Sequence, residues 1–433
     1  MAITYRAMLQ DRSCSTDDNQ APMPPVPDSR ALANRRVVLC VTGSIAAYKA
    51  CELTRLLVKQ GASVRVVMTH SATQFVGTAT FSAITQQPVL IEMFGNTAVG
   101  ESHVTLSAAA DLVVMAPATA DLLARLAQGR ADDLVTATAL CSRCPLLIAP
   151  AMHPAMWSHP ATQRNVQQLL ADGRARFIGP VEGEVASGDV GFGRFAAPDC
   201  IFDAVVATLS PQDLAGKHVV VTAGPTIEDL DPVRFLSNRS SGKMGYAIAR
   251  EARLRGARVT LISGPVDLPC PQNVTRISVR SALEMKRAVW QSLGEALDQA
   301  DVLVMAAAVG DFRFSVIHAD KLKRAATVTL PPLAQNPDIV AEVGAARRGA
   351  LPLLVGFALE TDAEHLVALA RHKLSTKHVD AVVANLAHES LGLDSNQVTI
   401  VTAANCEQLL ALPKREVAAR VLDWTAKTLG ALC

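Results

Sequence analysis

The sequence lacks three features that would each define a class of protein. Its 41 basic and 40 acidic side chains give a net charge of +1, so no excess of one sign draws the chain to nucleic acid or to an anionic membrane. It has no stretch of about 18 apolar residues and no basic segment followed by an apolar run near residue 1. We therefore expect a soluble, cytoplasmic protein that contacts neither nucleic acid nor membranes.

The nine cysteines form neither a metal site nor a disulfide framework. They are odd in number and scattered, at positions 14, 40, 51, 141, 144, 200, 270, 406 and 433. Cys141 and Cys144 have CxxC spacing, but no second pair lies near them to complete a tetrahedral zinc site. We expect thiols from a reducing compartment, this pair buried, and no metal site built from the protein alone.

What the chain does have is a strand and helix pattern that occurs twice. "RVVLCVT" from Arg36 predicts a buried strand, "SIAAYKACELTRLLVKQ" a helix, and "SVRVVMT" the next strand. "GASVRVVMT" and "ADLVVMAPA" of this half are echoed by "GARVTLIS" and "ADVLVMAAA" about Gly256 and Asp301. The pattern predicts an α/β protein with two tandem Rossmann-like domains, each with a mostly parallel sheet flanked by helices. We place a disordered tail at residues 1–33 and the domains at 34–208 and 209–433.

A phosphate-binding segment follows the first predicted strand. Thr42-Gly43-Ser44 opens a helix, where backbone N–H groups favour an anion. The GxGxxG motif is absent, and uncharged residues including Ser71 stand where an acid would bind the ribose of NAD. Flavin mononucleotide (FMN) therefore fits better than NAD, and a nicotinamide oxidoreductase is the weaker alternative.

Two further features of the first half have ordinary structural explanations on composition alone. Pro117, Thr119 and Asp121 follow a strand and precede a helix, which a plain capped turn would also explain. His103 precedes an alanine-rich helical stretch, and a lone histidine is more often structural than catalytic.

Five ordered motifs change this assessment. The segments "VTGSIAAYKA", "SHVTL", "APATADLLARLAQGRADDL", "PAMHPAMW" and "ASGDVGFGR" resemble those of flavin-dependent cysteine decarboxylases. The second half is similar to the ligases that form the substrate of such a decarboxylase. Residues 35–425 thus resemble the bifunctional phosphopantothenoylcysteine decarboxylase/phosphopantothenate–cysteine ligases of coenzyme A synthesis.

The resemblance implies roles for residues of the first half. His103 would be the active-site base, and residues 184–194, "EVASGDVGFGR", would be a glycine-rich flap that closes over the substrate. His153 stands where the family has an asparagine that holds the substrate carboxylate. Ser187 stands where many members have a cysteine that protonates the product, so Asp189 or a water molecule is an alternative donor. FMN would be bound by Gly43, Ser44, Ser71, Pro117, Thr119 and Asp121.

The second half contains "SNRSSGKMG" from Ser237, which is not a P-loop because GxxxxGK[ST] needs glycine at 237 and Ser or Thr at 244. The resemblance implies that Asn238 acts on an acyl-cytidylate. It also implies a CTP site formed by Met305, Ala306, Ala307, Asp311, Lys321, Pro337, Asp338, Ile339, Val340, Phe357, Lys373 and Lys377. Lys373 and Lys377 share one helical face, although such pairs are usually solvated surface lysines. Mg²⁺ would arrive with CTP.

The expected function is therefore bifunctional. The second half would ligate cysteine to 4′-phosphopantothenate with CTP, and the first would decarboxylate the product to 4′-phosphopantetheine with FMN. The alternative is a ligase whose flavin-binding half is inactive, or serves as a regulatory or assembly module. The resemblance also implies a homo-oligomer with trimeric decarboxylase contacts and dimeric ligase contacts, such as a dodecamer.

Overall fold

The computed structural model describes residues 31–94, 102–323, 331–390 and 392–432. The predicted disordered tail therefore lies outside the described residues up to residue 30. Its last part corrects the boundary, because Leu32 is fully buried in the core of the first half. The Leu32 amide also donates a hydrogen bond to the Gln60 carbonyl, 2.8 Å away. An apolar side chain that packs in this way belongs to the folded domain rather than to a tail.

The first half is built on a five-stranded parallel sheet with strand order β2-β1-β3-β4-β5. A two-stranded antiparallel hairpin, β6 and β7, follows it. The elements of this half are β1 (Arg36–Val41), α1 (Ala47–Lys59), β2 (Ser63–Met68), α2 (Thr78–Thr85), α3 (Ser102–Ala109), β3 (Leu112–Ala118), α4 (Ala120–Ala127), α5 (Leu134–Cys141), β4 (Leu146–Pro150), α6 (Pro154–Ser158), α7 (Pro160–Ala171), β5 (Ala175–Phe177), β6 (Val181–Glu184), β7 (Val190–Arg194) and α8 (Pro198–Leu209).

The second half is built on an eight-stranded sheet with order β12-β11-β8-β13-β16-β17-β19-β20, parallel except for the last two strands. Its elements are β8 (His218–Ala223), β9 (Ile227–Asp229), β10 (Phe235–Ser237), α9 (Lys243–Leu254), β11 (Arg258–Ser263), β12 (Thr275–Ser278), α10 (Ala282–Leu293), β13 (Val302–Met305), β14 (Phe312–Phe314), β15 (Leu333–Gln335), α11 (Ile339–Ala346), β16 (Leu353–Glu360), α12 (Leu366–Thr376), β17 (Ala381–Leu386), α13 (Ala387–Ser390), β18 (Ser395–Asn396), β19 (Val398–Thr402), β20 (Cys406–Gln408), β21 (Leu412–Pro413) and α14 (Lys414–Leu432).

The fold class predicted from the sequence is confirmed, and the repeated pattern has a structural counterpart. In each half the first strand pairs in parallel with its two echoed partners: β1 with β2 and β3, and β8 with β11 and β13. The aspartate before the third strand makes the same bond in both halves. Asp111 accepts from the Arg36 amide at 2.7 Å, and Asp301 from the His218 amide at 2.8 Å.

Each sheet is covered on both faces, because its strands are apolar on both sides. β3 and β8 are buried at every position, as is typical of central parallel strands. The helices bury one apolar stripe each; α1, for example, packs Ala50, Leu53 and Leu57 against the sheet. The carboxyl ends of the parallel strands are left for the loops that form the candidate sites.

The two halves meet where α8 of the first packs beside α9 and α14 of the second. Asp203 forms an ion pair with Arg250, and the Arg415 guanidinium lies 5.5 Å from the centre of the Phe202 ring. Such a pair adds a cation–π contact to the junction.

Two further observations concern the predictions from composition. The expectation that the CxxC cysteines are both buried is wrong for Cys141, which is exposed at the end of α5, while Cys144 is half-buried. Among the described helices, none is both long and apolar enough to span a bilayer.

Candidate active sites

The first cavity, of about 670 Å³, lies beyond the carboxyl ends of β1, β3 and β4. Its lining includes five of the residues predicted for the decarboxylase site, namely Gly43, Ser44, Thr119, His153 and Ser187. The flap supplies one wall, and the loop after β1 supplies the opposite one. The structure thus brings together segments that are up to about 150 positions apart in the chain.

The loop after β1 has the compactness expected of a phosphate-binding turn. A Cβ atom on Gly43 would lie only 2.6 Å from the Cβ of Ser71, so only glycine allows the two loops to touch. Ser44 follows, and its hydroxyl accepts a hydrogen bond from the Ala46 amide at 3.3 Å. Ser71 is therefore a neighbour of the cavity, supporting Gly43 from behind, and is not among the residues that line it.

The loop after β3 is tied to the same turn by Thr42. Its hydroxyl donates to the Pro117 carbonyl at 2.7 Å and accepts from the Thr119 amide at 3.3 Å. The Thr119 hydroxyl in turn caps α4 by accepting from the Leu122 amide. Pro117 therefore shapes the site through its backbone. Asp121 points away from the lining and lies 3.6 Å from Arg125, with 76% of its side chain exposed.

His103 lies on α3 and is not part of the first cavity of its own chain. Its Nδ1 atom is buried and has no hydrogen-bond partner among the described residues. A buried ring nitrogen without a partner is uncommon in a folded protein. The role of His103 as the base stays a prediction, and the geometry of a single chain does not bring it to the substrate.

His153 begins α6 and is oriented by two contacts. Its Nδ1 accepts from the Ala155 amide at 3.2 Å, so the ring proton sits on Nε2, which is 2.8 Å from Asp189 Oδ2. The Ser187 hydroxyl donates to the same oxygen at 2.7 Å. These bonds, first the one from His153, hold the pKa of Asp189 below its usual value.

The flap lies close against the turn that carries His153. Gly193 packs so tightly on this turn that a Cβ would come 2.3 Å from the Met152 carbonyl oxygen. The Gly193 carbonyl also accepts from the Met152 amide at 3.0 Å. The glycines of β7 are therefore required by close approach of two backbones, a reason that the sequence pattern did not indicate.

The first cavity has the features that a phosphorylated aromatic cofactor needs. Apolar side chains, including Ile45, Met156 and Phe195, line one part, and Gly43 and Ser44 offer polar groups at the end of α1. Tyr48 also lines the space, and 60% of its side chain is exposed. The residues present thus fit FMN, which would lie between the loop after β1 and the flap.

The second cavity, of about 640 Å³, lies beyond the carboxyl ends of β13 and β16. It is lined by most of the residues that the sequence predicts for the ligase, namely Asn238, Met305, Ala307, Asp311, Pro337, Asp338, Ile339, Val340, Phe357, Lys373 and Lys377. They come from the loops after β10 and β13, the start of α11, β16 and α12. Arg239, Gln335 and Asn336 also line this space, and the sequence analysis did not single them out.

The backbone after β13 is held in place by two threonines of the neighbouring strand and its loop. The Thr222 hydroxyl accepts from the Ala307 amide at 3.1 Å, and the Thr226 hydroxyl accepts from the Gly310 amide at 2.9 Å. Thr222 is fully buried. The hydroxyls fix the chain from Ala307 to Gly310 without projecting side chains into the cavity. A threonine at the end of an apolar strand was the signal available in "HVVVTAGPT".

Asn238 is held beside the same loop. Its Nδ2 atom donates to the Val309 carbonyl at 3.1 Å, so the amide oxygen remains an acceptor toward the second cavity. The Asn336 side chain closes the other side by donating to the Gly310 carbonyl at 2.8 Å. The amide of Asn238 is thus oriented before any substrate arrives.

The two lysines of α12 face the second cavity with different environments. Lys373 donates to the Phe357 carbonyl, and burial followed by the charge of Lys377 lowers its pKa. Lys377 lies 2.8 Å from Asp338, and Asp338 also caps α11 by accepting from the Ala341 amide. The pair is therefore not a solvated surface pair; Lys373 is a cation held at the cavity wall without a carboxylate partner of its own in these contacts.

Two predicted ligase residues lie elsewhere. Ala306 lines a side cavity of about 160 Å³ that shares Arg239, Ala307 and Phe357 with the second cavity and contains Lys243 and Lys414. Lys321 is exposed and lines neither space. The segment that carries it is anchored next door, because buried Asp231 accepts from the Leu322 amide at 3.1 Å.

Two family models match the chain, one for each sheet. The model "Flavoprotein" matches residues 25–210, and the model "DNA/pantothenate metabolism flavoprotein C-terminal domain" matches residues 214–429. The chain is 42% identical over 402 residues to the coenzyme A biosynthesis bifunctional protein CoaBC of Vibrio cholerae, covering 91% of this chain and 98% of the relative.

Two solved structures each match one half. The C-terminal domain of a coenzyme A biosynthesis bifunctional protein CoaBC is 37% identical, with a TM-score of 0.43, and the match covers 51% of this chain and 99% of that domain. The FMN-dependent cysteine decarboxylase SpaF is 35% identical, with a TM-score of 0.37, and the match covers 41% of this chain and 99% of that protein.

Proposed function

The chain belongs to the family of coenzyme A biosynthesis bifunctional proteins, and we propose that it catalyses two consecutive steps in two separate cavities. The second half joins cysteine to 4′-phosphopantothenate with CTP, and the first half converts the product to 4′-phosphopantetheine with FMN. The observation that carries the proposal is the pair of cavities at the carboxyl ends of two parallel sheets, each lined by the motif residues of one activity. We place the activity in the cytoplasm.

The ligase step needs positive charge beside a phosphoanhydride. A carboxylate is a poor acylating group until it is joined to a phosphate and pyrophosphate leaves. Lys373 and Lys377 supply cationic groups at one wall of the second cavity, where they would bind the triphosphate and stabilise the charge that develops on it. Asp311 also lines this cavity, so Mg²⁺ carried by the triphosphate would meet one carboxylate. Lys321 would reach the nucleotide from its exposed segment.

The backbone of the second cavity would select the base of the nucleotide. Small residues from Met305 to Ala308 leave main-chain N–H and C=O groups accessible, and Thr222 fixes their position. Such groups can pair with the edge of a cytosine ring. Asn238, with its amide already oriented, would stabilise the acyl-cytidylate while the amine of cysteine attacks its carbonyl carbon.

The decarboxylase step uses the first cavity. When bound, FMN supplies the two-electron oxidation of the substrate thiol and the later return of the electrons. His153 would donate Nε2–H toward the carboxylate that departs, as the asparagine of relatives is expected to do by resemblance. The flap would exclude water while the reactive product of decarboxylation is present.

A homo-oligomer is part of the proposal. His103 lies apart from the first cavity of its own chain, so we infer that it acts in the cavity of a neighbouring copy, consistent with a trimer of the first half. In the second half, large apolar side chains are exposed on the small hairpins β9–β10 and β14–β15, for example Phe235, Phe312 and Leu333. Such a patch fits contacts between copies, as the expected dimer requires.

One observation favours a second candidate for the first half. The Ser187 hydroxyl donates its proton to Asp189, so in this geometry it is not available as the acid that a cysteine provides in relatives. The first half could then bind flavin without completing the reaction and serve in regulation or assembly. The turn at Gly43 and the seated flap, both intact, favour a working enzyme instead.

Separate assays test the two activities. Pyrophosphate release with 4′-phosphopantothenate and cysteine is expected with CTP and to be at least about tenfold slower with ATP, since the base is read by fixed groups. Chemically supplied 4′-phosphopantothenoylcysteine is expected to release CO₂ and to yield 4′-phosphopantetheine. Release of CO₂ without 4′-phosphopantetheine would support loss of the protonation step, and neither product would support the regulatory alternative.

A further inference from the structure

The flap contacts the turn at residues 152–154 at two places of different character. At its base, Gly193 packs on the backbone of Met152, with a main-chain hydrogen bond of 3.0 Å. Near its tip, the contact is between side chains, from His153 Nε2 to Asp189 Oδ2 at 2.8 Å. The base contact needs no particular side chain, whereas the tip contact depends on two.

The tip has little else to hold it down. Its turn is closed by two local bonds, from the Gly188 amide to the Val185 carbonyl and from the Val185 amide to the Asp189 carbonyl, both 2.9 Å. The hairpin β6–β7 forms a sheet of two strands that pairs with no other strand, and an isolated hairpin is marginally stable in water. The tip is also exposed, at 58% for the Asp189 side chain. Its position over the cavity therefore depends on the bond to His153.

Asp189 joins this contact to Ser187. One oxygen, Oδ2, accepts both from His153 Nε2 and from the Ser187 hydroxyl at 2.7 Å. The Ser187 oxygen is then left as an acceptor on a residue that lines the first cavity. The contact that seats the flap and the orientation of the serine are thus two results of one carboxylate.

We propose that Asp189 is a positioning residue of the decarboxylase. Through His153 it latches the flap in the closed position, and through Ser187 it presents a hydrogen-bond acceptor, rather than a proton, to the substrate thiol. The role in turnover rests on the proposed function of the first half; the latch itself does not. A donor at position 153 is required for the latch, and an asparagine amide can serve as well as Nε2–H.

Hydrogen–deuterium exchange of peptides that span residues 184–194 tests the latch directly in the full-length protein. Asp189→Ala and His153→Ala are each expected to speed exchange of the flap amides roughly three- to tenfold, while His153→Asn restores the wild-type rate. The double variant should be no faster than either single one, because both remove the same contact. Glu182→Gln, which changes an exposed carboxylate of the same hairpin, is the matched control.

Steady-state kinetics with 4′-phosphopantothenoylcysteine test the positioning role. Asp189→Ala is expected to lower kcat roughly tenfold with little change in KM, since closure follows binding. Ser187→Ala should retain flap protection and lose less activity than Asp189→Ala. Exchange in Asp189→Ala equal to that in Glu182→Gln would overturn the latch, whatever the activity.

The two readouts separate this proposal from the decarboxylase assignment. Faster flap exchange in Asp189→Ala, in a protein that releases no CO₂ even as wild type, would retain the latch and reject the assignment. Normal turnover and normal exchange in Asp189→Ala would retain the assignment and reject the latch. Loss of turnover without a change in exchange would mean that Asp189 acts on the chemistry and not on the flap.

Discussion

The two halves of the molecule share a strand pattern but differ in how their cavities are closed. In both, a first strand lies between two parallel partners, and an aspartate before the third strand, Asp111 or Asp301, binds the first residue of that first strand. The first cavity is then covered by a hairpin that rests on one turn. The second cavity is walled by fixed loops and carries two lysines.

The difference follows from what each proposed reaction must stabilise. A flavin reaction creates a species that water would destroy, so a cover is needed and little fixed charge is required. A phosphoanhydride reaction develops negative charge, so cations must be in place before the substrate arrives. The same sheet thus serves two chemistries because the loops beyond its strands differ. The predictions below separate the two cavities, starting with the largest effect.

Lys373→Met is expected to break the second cavity alone. Loss of a cation at a developing phosphate charge should lower kcat/KM for CTP roughly 100-fold, measured by pyrophosphate release. Decarboxylation of supplied 4′-phosphopantothenoylcysteine should be unchanged. Lys427→Met, at an exposed position of α14, is the control; an equal loss there would remove the special role of Lys373.

Gly43→Ala is expected to break the first cavity alone. The new Cβ would lie 2.6 Å from that of Ser71, so the loop after β1 must move and FMN should bind roughly 30-fold more weakly, as expected for a displaced phosphate-binding turn. Flavin fluorescence titration measures this, with CTP-dependent ligation as the internal reference. At Gly77 a Cβ meets nothing within 4 Å, so Gly77→Ala should bind FMN normally. Equal binding by both variants would contradict the assignment of the turn.

Thr222→Val sharpens the view that the second cavity reads its nucleotide with fixed backbone groups. The Ala307 amide would lose its partner in a buried position, and the KM for CTP should rise roughly tenfold. Discrimination between CTP and ATP should fall as well. Thr428→Val in α14, where the hydroxyl donates to the Trp424 carbonyl, is the matched control. Unchanged discrimination in Thr222→Val would mean that side chains, and not this backbone, select the base.

The smallest expected effect is in the pH dependence of the ligase. Burial and Lys377 lower the pKa of Lys373, so its charge is present at neutral pH and is lost on raising the pH sooner than for a solvated lysine. We expect kcat/KM for CTP to fall roughly threefold from pH 8 to 9.5, with kcat less affected because bound phosphates favour the charged form. Lys373→Arg should flatten this alkaline limb; a limb that persists would assign it to another group.

Much of the fold could be predicted because it depends on local pattern. Buried strands such as β1 and β3 are continuous apolar runs, and α9 begins after Gly242 as its sequence indicates. Residues just after strands were correctly expected to gather, since parallel strands end at one edge. The end of the tail was wrong because Leu32 packs in the core, and a single apolar residue carries no periodic signal.

The sites were less predictable because their contacts join distant segments. His153 meets Asp189 across 36 positions and Thr222 meets Ala307 across 85, and neither spacing follows from periodicity. Ala306 shows the same limit from the other side, since neighbouring residues of an extended chain point in opposite directions. It accordingly lines the side cavity while Met305 and Ala307 line the second.

The most direct test of the central claim is mass spectrometry of the products formed by the pure protein from 4′-phosphopantothenate, cysteine, CTP and Mg²⁺. The account predicts 4′-phosphopantetheine, with 4′-phosphopantothenoylcysteine as the intermediate, because both cavities would then work in sequence. Accumulation of 4′-phosphopantothenoylcysteine alone would contradict the assignment of the first cavity, and the absence of any CTP-dependent product would contradict the account as a whole.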